Sequence, residues 1–322
     1  MKSKKFILPA EWEPQSAIQL TWPHAQTDWN YMLGDITATY VEMAREIADH
    51  ERLLIVAPRT DEVKGLLDSA LPASSAANIV YHECPTNDTW ARDHGFITLK
   101  NLDGEGDERL LLDFCFNGWG RKFESDKDNA INRSLYDSGT VFTTSQCLLA
   151  PHRNQPLTQQ QIEQRLKDAL CASRILWLDH GNLIGDDTDG HIDTIVRLAP
   201  DDTLLYIGNV SPDDEQHDDF MALEEQLRSL RTADGQPYRL LALPMPDAIC
   251  DDDGSRLPAT YANFLVTNEK VLVPTYGQEE NDRQAISTIA RTFPDRKMVG
   301  IDSRSIIRQH GSIHCCTMQL PR

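Results

Sequence analysis

The chain has 322 residues, 40% of them hydrophobic, and carries 31 basic against 50 acidic side chains for a formal net charge of −19. That length and apolar content suffice for a large core. The charge excludes a nucleic-acid binder, which needs a basic face to displace counterions, disfavours anionic membranes, and favours small cations as partners.

The opening "MKSKKFILPAEW" has too few apolar residues before Pro9 for a signal peptide. No apolar run approaches the ~20 residues of a membrane span, so a cytoplasmic protein is expected. The cysteines (84, 115, 147, 171, 250, 315 and 316) are odd in number and mostly lie in apolar stretches such as "LLDFCFN" and "SQCLLA". They read as reduced thiols.

The elements follow in order. A strand is predicted over 17–22, a helix over 35–50, a strand over 52–57, a helix over 60–70, and strands over 78–83, 95–100 and 109–116. Thr158 and Gln161 form a capping-box signature ahead of an apolar stripe of Ile162, Leu166, Ala169 and Leu170, and "RILWLD" (174–179) is the next strand. Residues 192–210 read as two strands around a turn, followed by a helix over 213–231 and a strand over 238–246. "TYANFLVTNEKVLVPTY" (260–276) is a second hairpin, and a helix over 279–292 puts Ile286, Ile289, Ala290 and Phe293 on one face. Pro294 stops that helix, and "KMVGID" (297–302) is a strand. The order strand–strand–helix–strand recurs roughly five times, which predicts a single α/β domain over 1–322 with a closed, cyclic architecture.

Polar segments follow the last strand of several units: "PTNDTWARDHG" (85–95), "HGNLIGDDTDGHID" (180–193), "DAICDDDGSRLPATYANF" (247–264) and "SRSIIRQHGSIHCC" (303–316). Equivalent loops of repeated units share a face, so these four are expected to converge. "GDDTDGHID" is not an EF-hand loop: with Gly190 at position 6, Gly185 and Val196 fall where acids are needed. It reads either as a solvated acidic turn or as a His191-x-Asp193 pair at a strand start, a general acid/base beside a carboxylate. "NDTWARD" reads either as a polar turn around a packed Trp or as Asp93 beside the aromatic wall of Trp90, a pair suited to a planar cation. In "HGSIHCC", neither C-x-x-C nor H-E-x-x-H occurs, so no metal site is expected. Cys315 and Cys316 are either buried structural thiols or the home of a nucleophile beside a histidine. Taken together, a thiol, a histidine and two carboxylates fit attack on the central carbon of a guanidinium.

The same stretches carry a family resemblance. "NDTWARDHG", "TTSQCLLAPHRN" (143–154), "DDTDGHID", "TYANF" and "GSIHC" occur in the order found in agmatine deiminases and their bacterial peptidylarginine deiminase relatives, and "PAEWEPQSAIQLTWPH" (9–24) resembles that family's opening. The resemblance spans essentially the whole chain. It implies the pentein fold, a five-fold pseudo-symmetric α/β propeller, with no metal and no organic cofactor. It implies a hydrolase that converts agmatine and water to N-carbamoylputrescine and ammonia, with arginine deimination and silent binding of small cations as alternatives. By motif match Cys315 is the nucleophile, His191 the acid/base, and Asp93 and Asp193 the guanidinium-binding acids. Trp90, Asn263 and Asp187 are the expected substrate contacts. His310 and His314 are expected in supporting roles, with Cys316 packed. The expected partner is a small guanidino cation, with room for a homo-oligomer. One departure is local: relatives carry a Glu-Gly-Gly and Asp-Gly-rich stretch after "SLYDSG" (134–139), whereas here Gly139 runs straight into Thr140.

Overall fold

The computed structural model describes residues 6–101, 109–112, 114–128, 141–169 and 174–322. The side chains of Ala169 and Leu170, the "SLYDSG" stretch and the Gly139–Thr140 junction lie outside the described residues. In chain order the elements are β1 (Phe6–Ile7), β2 (Gln15–Thr21), α1 (Leu33–Ala48), β3 (Leu53–Ala57), α2 (Thr60–Ala70), α3 (Ala73–Ala76), β4 (Ile79–Glu83) and α4 (Ala91–His94). Then come β5 (Ile97–Asn101), β6 (Arg109–Leu112), α5 (Gly118–Arg121), β7 (Val141–Thr144), α6 (Ser145–Leu148), α7 (Gln159–Ala169) and β8 (Ile175–Leu178). The rest are β9 (Val196–Ala199), β10 (Thr203–Ile207), α8 (His217–Ser229), β11 (Arg239–Leu243), β12 (Leu265–Val266), β13 (Lys270–Thr275), α9 (Glu279–Ala290), β14 (Lys297–Asp302) and β15 (Thr317–Pro321).

These elements fall into two compact units, one formed by Met1–Val141, Pro151–Ile175 and Cys315–Arg322, the other by Phe142–Ala150 and Leu176–His314. In the first unit a sheet of order β15-β2-β3-β4 carries the core. Ile18, Leu20, Leu53 and Ile55 of that sheet are fully buried, as are Ile36, Tyr40, Met43 and Ile47 of α1, whose spacing repeats the helical turn. Burying each such side chain contributes about 1.5–3 kcal/mol. A smaller antiparallel sheet, β1-β5-β6, belongs to the same unit. The capping box is realised: the Thr158 hydroxyl accepts from the Gln161 N–H, and the Gln161 side chain accepts from the Thr158 N–H.

The second unit shows the repeat plainly. β9 and β10 pair antiparallel, α8 follows, and β11 pairs parallel with β10. β12, β13, α9 and β14 repeat this order. The first unit does so with a substitution. β2, α1 and β3 supply the parallel pair, and the antiparallel partner of β2 is β15, from the far end of the sequence.

Two local expectations are corrected. Residues Ile192–Thr194 form a 3-10 turn, and the strand begins only at Val196, because the Thr194 hydroxyl bonds back to the His191 carbonyl and closes the turn. The strand expected over 109–116 ends at Leu112, and Asn117 instead caps the tight turn of α5 through a bond from the Gly120 N–H.

Candidate active site

In the first unit, "NDTWARD" folds as an extended approach to the single turn α4, with Trp90 at its start. Three bonds of Arg92 fix α4 in place. Its N–H donates to the Cys315 carbonyl at 3.1 Å, and its guanidinium reaches Gln319 of β15 at 2.8 Å and Glu11 at 3.3 Å. Gly95 closes the turn so tightly that a Cβ there would meet the Ala91 carbonyl at 2.4 Å and Met318 at 2.6 Å. Asp93, partly buried, is therefore held on the same short turn that bonds the backbone of Cys315.

Cys315 lies in the turn before β15 and is 4% exposed. Its neighbour Cys316 is fully buried, and that burial pushes its thiol up to about 12; a bond with Tyr40 opposes the shift, and the charges of Asp88 and Asp93 add to it. Cys316 is thus a neutral packed thiol.

Trp90 is buried and packs against Trp29 at 5.7 Å and, edge-on, against Trp119 at 6.4 Å. Phe116 and Phe123 meet the Trp119 ring at 5.1 and 5.4 Å. Phe116, Trp119 and Phe123 wall a cavity of about 240 Å³ whose other lining includes Asp28, Asp88, Glu124 and Asp128. Burial raises Asp88 to about 7, opposed by its bond from the Thr89 N–H and helped by Asp28 and Asp128. Burial likewise raises Asp128 to about 6, against bonds from the Asn87 and Asp88 N–H groups. Two acids beside these aromatic rings thus resist ionisation, because burial penalises their charged forms.

In the second unit, the 180–193 loop is pinned to the start of α8. The Asp219 carboxylate accepts from the Gly181 and Asn182 N–H groups at 2.9 and 2.6 Å, and Gln216 accepts from the Ile184 N–H at 2.7 Å. Gly185 has φ +87° and passes so close to Arg256 that a Cβ would lie 2.3 Å from its carbonyl oxygen. His310 Nδ1 donates to the Gly185 carbonyl at 2.7 Å. Asp186 accepts from Thr188 and from the Gly190 N–H, so it closes its own turn, while Asp187 beside it is exposed.

The loop delivers Asp193 into a polar cluster. His314 Nδ1 donates to Asp193 Oδ2 at 2.7 Å, and Asn263 Nδ2 donates to the same oxygen at 2.9 Å. Asn263 Oδ1 accepts from the His314 N–H at 2.9 Å. Burial alone would raise Asp193; the bond and charge of His314, with the charges of His191 and Arg197, hold it well below the usual carboxylate range. Arg197, 5% exposed, donates to the carbonyls of Ala262 and Phe264 at 3.1 and 2.7 Å and lies over the Phe264 ring at 4.5 Å.

Asp93, Trp90 and Cys315 therefore belong to the first unit, where α4 brings Asp93 and the Cys315 backbone together. His191, Asp193 and Asn263 are gathered in the second. Arg92, Arg197 and Asp88 carry no motif role in the sequence reading, although Asp88 and Arg92 stand inside "NDTWARD".

The family model of the Porphyromonas-type peptidyl-arginine deiminases matches residues 7–138 and 136–321, two pieces that meet beside the Gly139–Thr140 junction. A Legionella pneumophila protein named "Putative agmatine deiminase" is 32% identical over an alignment of 351 positions that covers 100% of this chain and 97% of that one. A Porphyromonas gingivalis structure described as a "Putative Arginine Deiminase" superposes with a TM-score of 0.89 at 45% identity and 99% coverage of both chains. A C. jejuni agmatine deiminase, a Cys-to-Ser variant with substrate bound, superposes with a TM-score of 0.89 at 30% identity, covering 100% of this chain and 98% of that one. The mixed α/β fold and these family matches define a hydrolase of guanidino carbon–nitrogen bonds. The chain belongs to the Porphyromonas-type peptidyl-arginine deiminase family, among whose relatives here are proteins named as agmatine deiminases.

Proposed function

We propose that the protein is an agmatine deiminase, acting in putrescine biosynthesis. The Cys315 thiolate adds to the guanidinium carbon while Asp93 and Asp193 hold the cation by charge-assisted bonds. The carbon–nitrogen bond breaks, His191 gives its proton to the departing ammonia, and an amidino (thiouronium) group stays on sulfur. His191 then takes a proton from water, the hydroxide adds to the same carbon, and the carbon–sulfur bond breaks to release N-carbamoylputrescine. Trp90 walls the guanidinium, and Asp187 is a further candidate contact. The reaction needs no metal or organic cofactor.

The observation that supports agmatine is the cavity beyond Trp119. Its lining among the described residues has several acids and no base, which suits a second ammonium and leaves the carboxylate of arginine without a counter-charge. The second reading, deimination of free or peptide-linked arginine, is favoured by the 45% identity to the P. gingivalis protein. Ammonia release from agmatine, arginine and a peptide ending in arginine decides between them. Preference for agmatine by a factor of ten or more in kcat/KM is expected, and preference for either arginine substrate refutes it. Cys315→Ala should stop turnover yet bind substrate, whereas retained turnover would remove the nucleophile.

A further inference from the structure

His314 precedes the proposed nucleophile by one peptide bond, yet its imidazole is only 6% exposed and its Nδ1 is engaged 2.7 Å from Asp193 Oδ2. Two donors, His314 Nδ1–H and the Asn263 amide, converge on that single oxygen, which fixes the rotation of the carboxylate about its Cβ–Cγ bond. Asn263 also accepts from the His314 N–H, at Oδ1 over 2.9 Å and at its main-chain carbonyl over 3.2 Å. The two sides of the cluster are thus tied through backbone as well as side chain. Arg197 braces the arrangement from behind by holding the carbonyls on both sides of Asn263.

We infer that His314 is a positioning residue for Asp193: its Nδ1–H locks the carboxylate in the orientation that receives the guanidinium, so that the residue before the nucleophile also aims the acid that holds the substrate. The inference rests on the deiminase reading above. Asn263 serves the substrate through Asp193 in the same way, and Arg197 through Asn263.

The test is a rescue series. An Asn at position 314 places its amide N–H where Nδ1 stands, whereas a Gln places it nearer the position of Nε2. Steady-state kinetics on whichever guanidine the wild type turns over should show His314→Ala losing kcat/KM by roughly 30- to 100-fold, the loss of one charge-assisted bond. His314→Asn should recover to within about tenfold of wild type, and His314→Gln should stay with His314→Ala. The double variant His314→Ala with Asp193→Asn should be no slower than Asp193→Asn alone, since the histidine acts only through that carboxylate. A purely structural role would lower thermal midpoints without separating Asn from Gln. If His314→Ala does not fold, the near-isosteric Asn and Gln variants decide. An active wild type with Gln rescuing as well as Asn, or with losses that multiply in the double variant, overturns this inference alone. A wild type inactive on agmatine, arginine and arginyl peptide overturns the deiminase reading and takes this inference with it.

Discussion

Arg197→Met keeps an unbranched side chain of similar length in a buried place and removes its charge and all its donors. The wild-type guanidinium makes two charge-assisted bonds, to the Ala262 and Phe264 carbonyls, and stacks on the Phe264 ring. Each such bond contributes roughly 1.5–3 kcal/mol, and a desolvated cation–ring contact about 2 kcal/mol. Against this, the variant no longer pays the several kcal/mol needed to desolvate a guanidinium. What decides the sign is the two carbonyls, which sit in a buried strand approach and lose their partner at a cost of about 1–3 kcal/mol each. A net destabilisation of about 2–4 kcal/mol is expected, seen as a lower urea midpoint by far-UV circular dichroism with an unchanged slope. Because Asn263 lies between the two released carbonyls, kcat/KM should fall in the same variant even under conditions where it is fully folded. Arg197→Lys should lie between, retaining charge but not the fork or the stack. A loss below about 1 kcal/mol, or a Met variant more stable than wild type, would show that the guanidinium is a net burden and that the brace is not needed.

Asp88 titrates near 7 in the folded protein against an ordinary 3.8, so its ionisation lowers stability as pH rises from about 4 to 7, and a bound cation reverses that cost. Agmatine binding should therefore release a proton and KM should fall as pH rises from about 6 to 8; calorimetry in buffers of different ionisation enthalpy should show the release lost in Asp88→Asn, and an unchanged proton count would refute the assignment. Cys316, raised from 9.0 to about 12, contributes stability that is complete below about pH 9 and is lost as pH climbs towards 12. Cys316→Ala should flatten that alkaline loss in urea titrations while keeping most of the activity, and a variant that loses stability as steeply as wild type above about pH 9 would contradict the burial argument.

Periodicity made most of the fold legible. The apolar spacing of Ile36, Tyr40, Met43 and Ile47, the cap at Thr158, and the stop at Pro294 are local signals, and the helices and hairpins they predict are present. What escaped was set by partners far along the chain or by backbone geometry. "TMQLP" has no pattern of its own and becomes β15 only because β2 offers an edge. The turn at 192–194 looked like a strand because period-two spacing of His191 and Asp193 does not reveal the hydroxyl of Thr194 closing on the His191 carbonyl. Trp119 adopts φ +51°, a left-handed conformation unusual for an aromatic residue, which no apolar pattern signals. Within the candidate site, residue types and motif order pointed to Cys315, His191, Asp93 and Asp193. The bond from His314 to Asp193 spans 121 positions, and nothing in "GSIHC" names its partner.

The pairing of β2 with β15 has a consequence for the time course of synthesis. Ser16 bonds the Leu320 carbonyl across a separation of 304 residues. The first sheet therefore leaves the ribosome with one side of β2 unpaired and must wait while nearly the whole chain is translated. At about 5–20 residues per second that wait lasts on the order of 15–60 s, during which the open edge is a template for unwanted strand addition. The strand that finally covers it follows directly on Cys315, so the same event that seals the edge also brings the Cys315 carbonyl to the Arg92 N–H of α4.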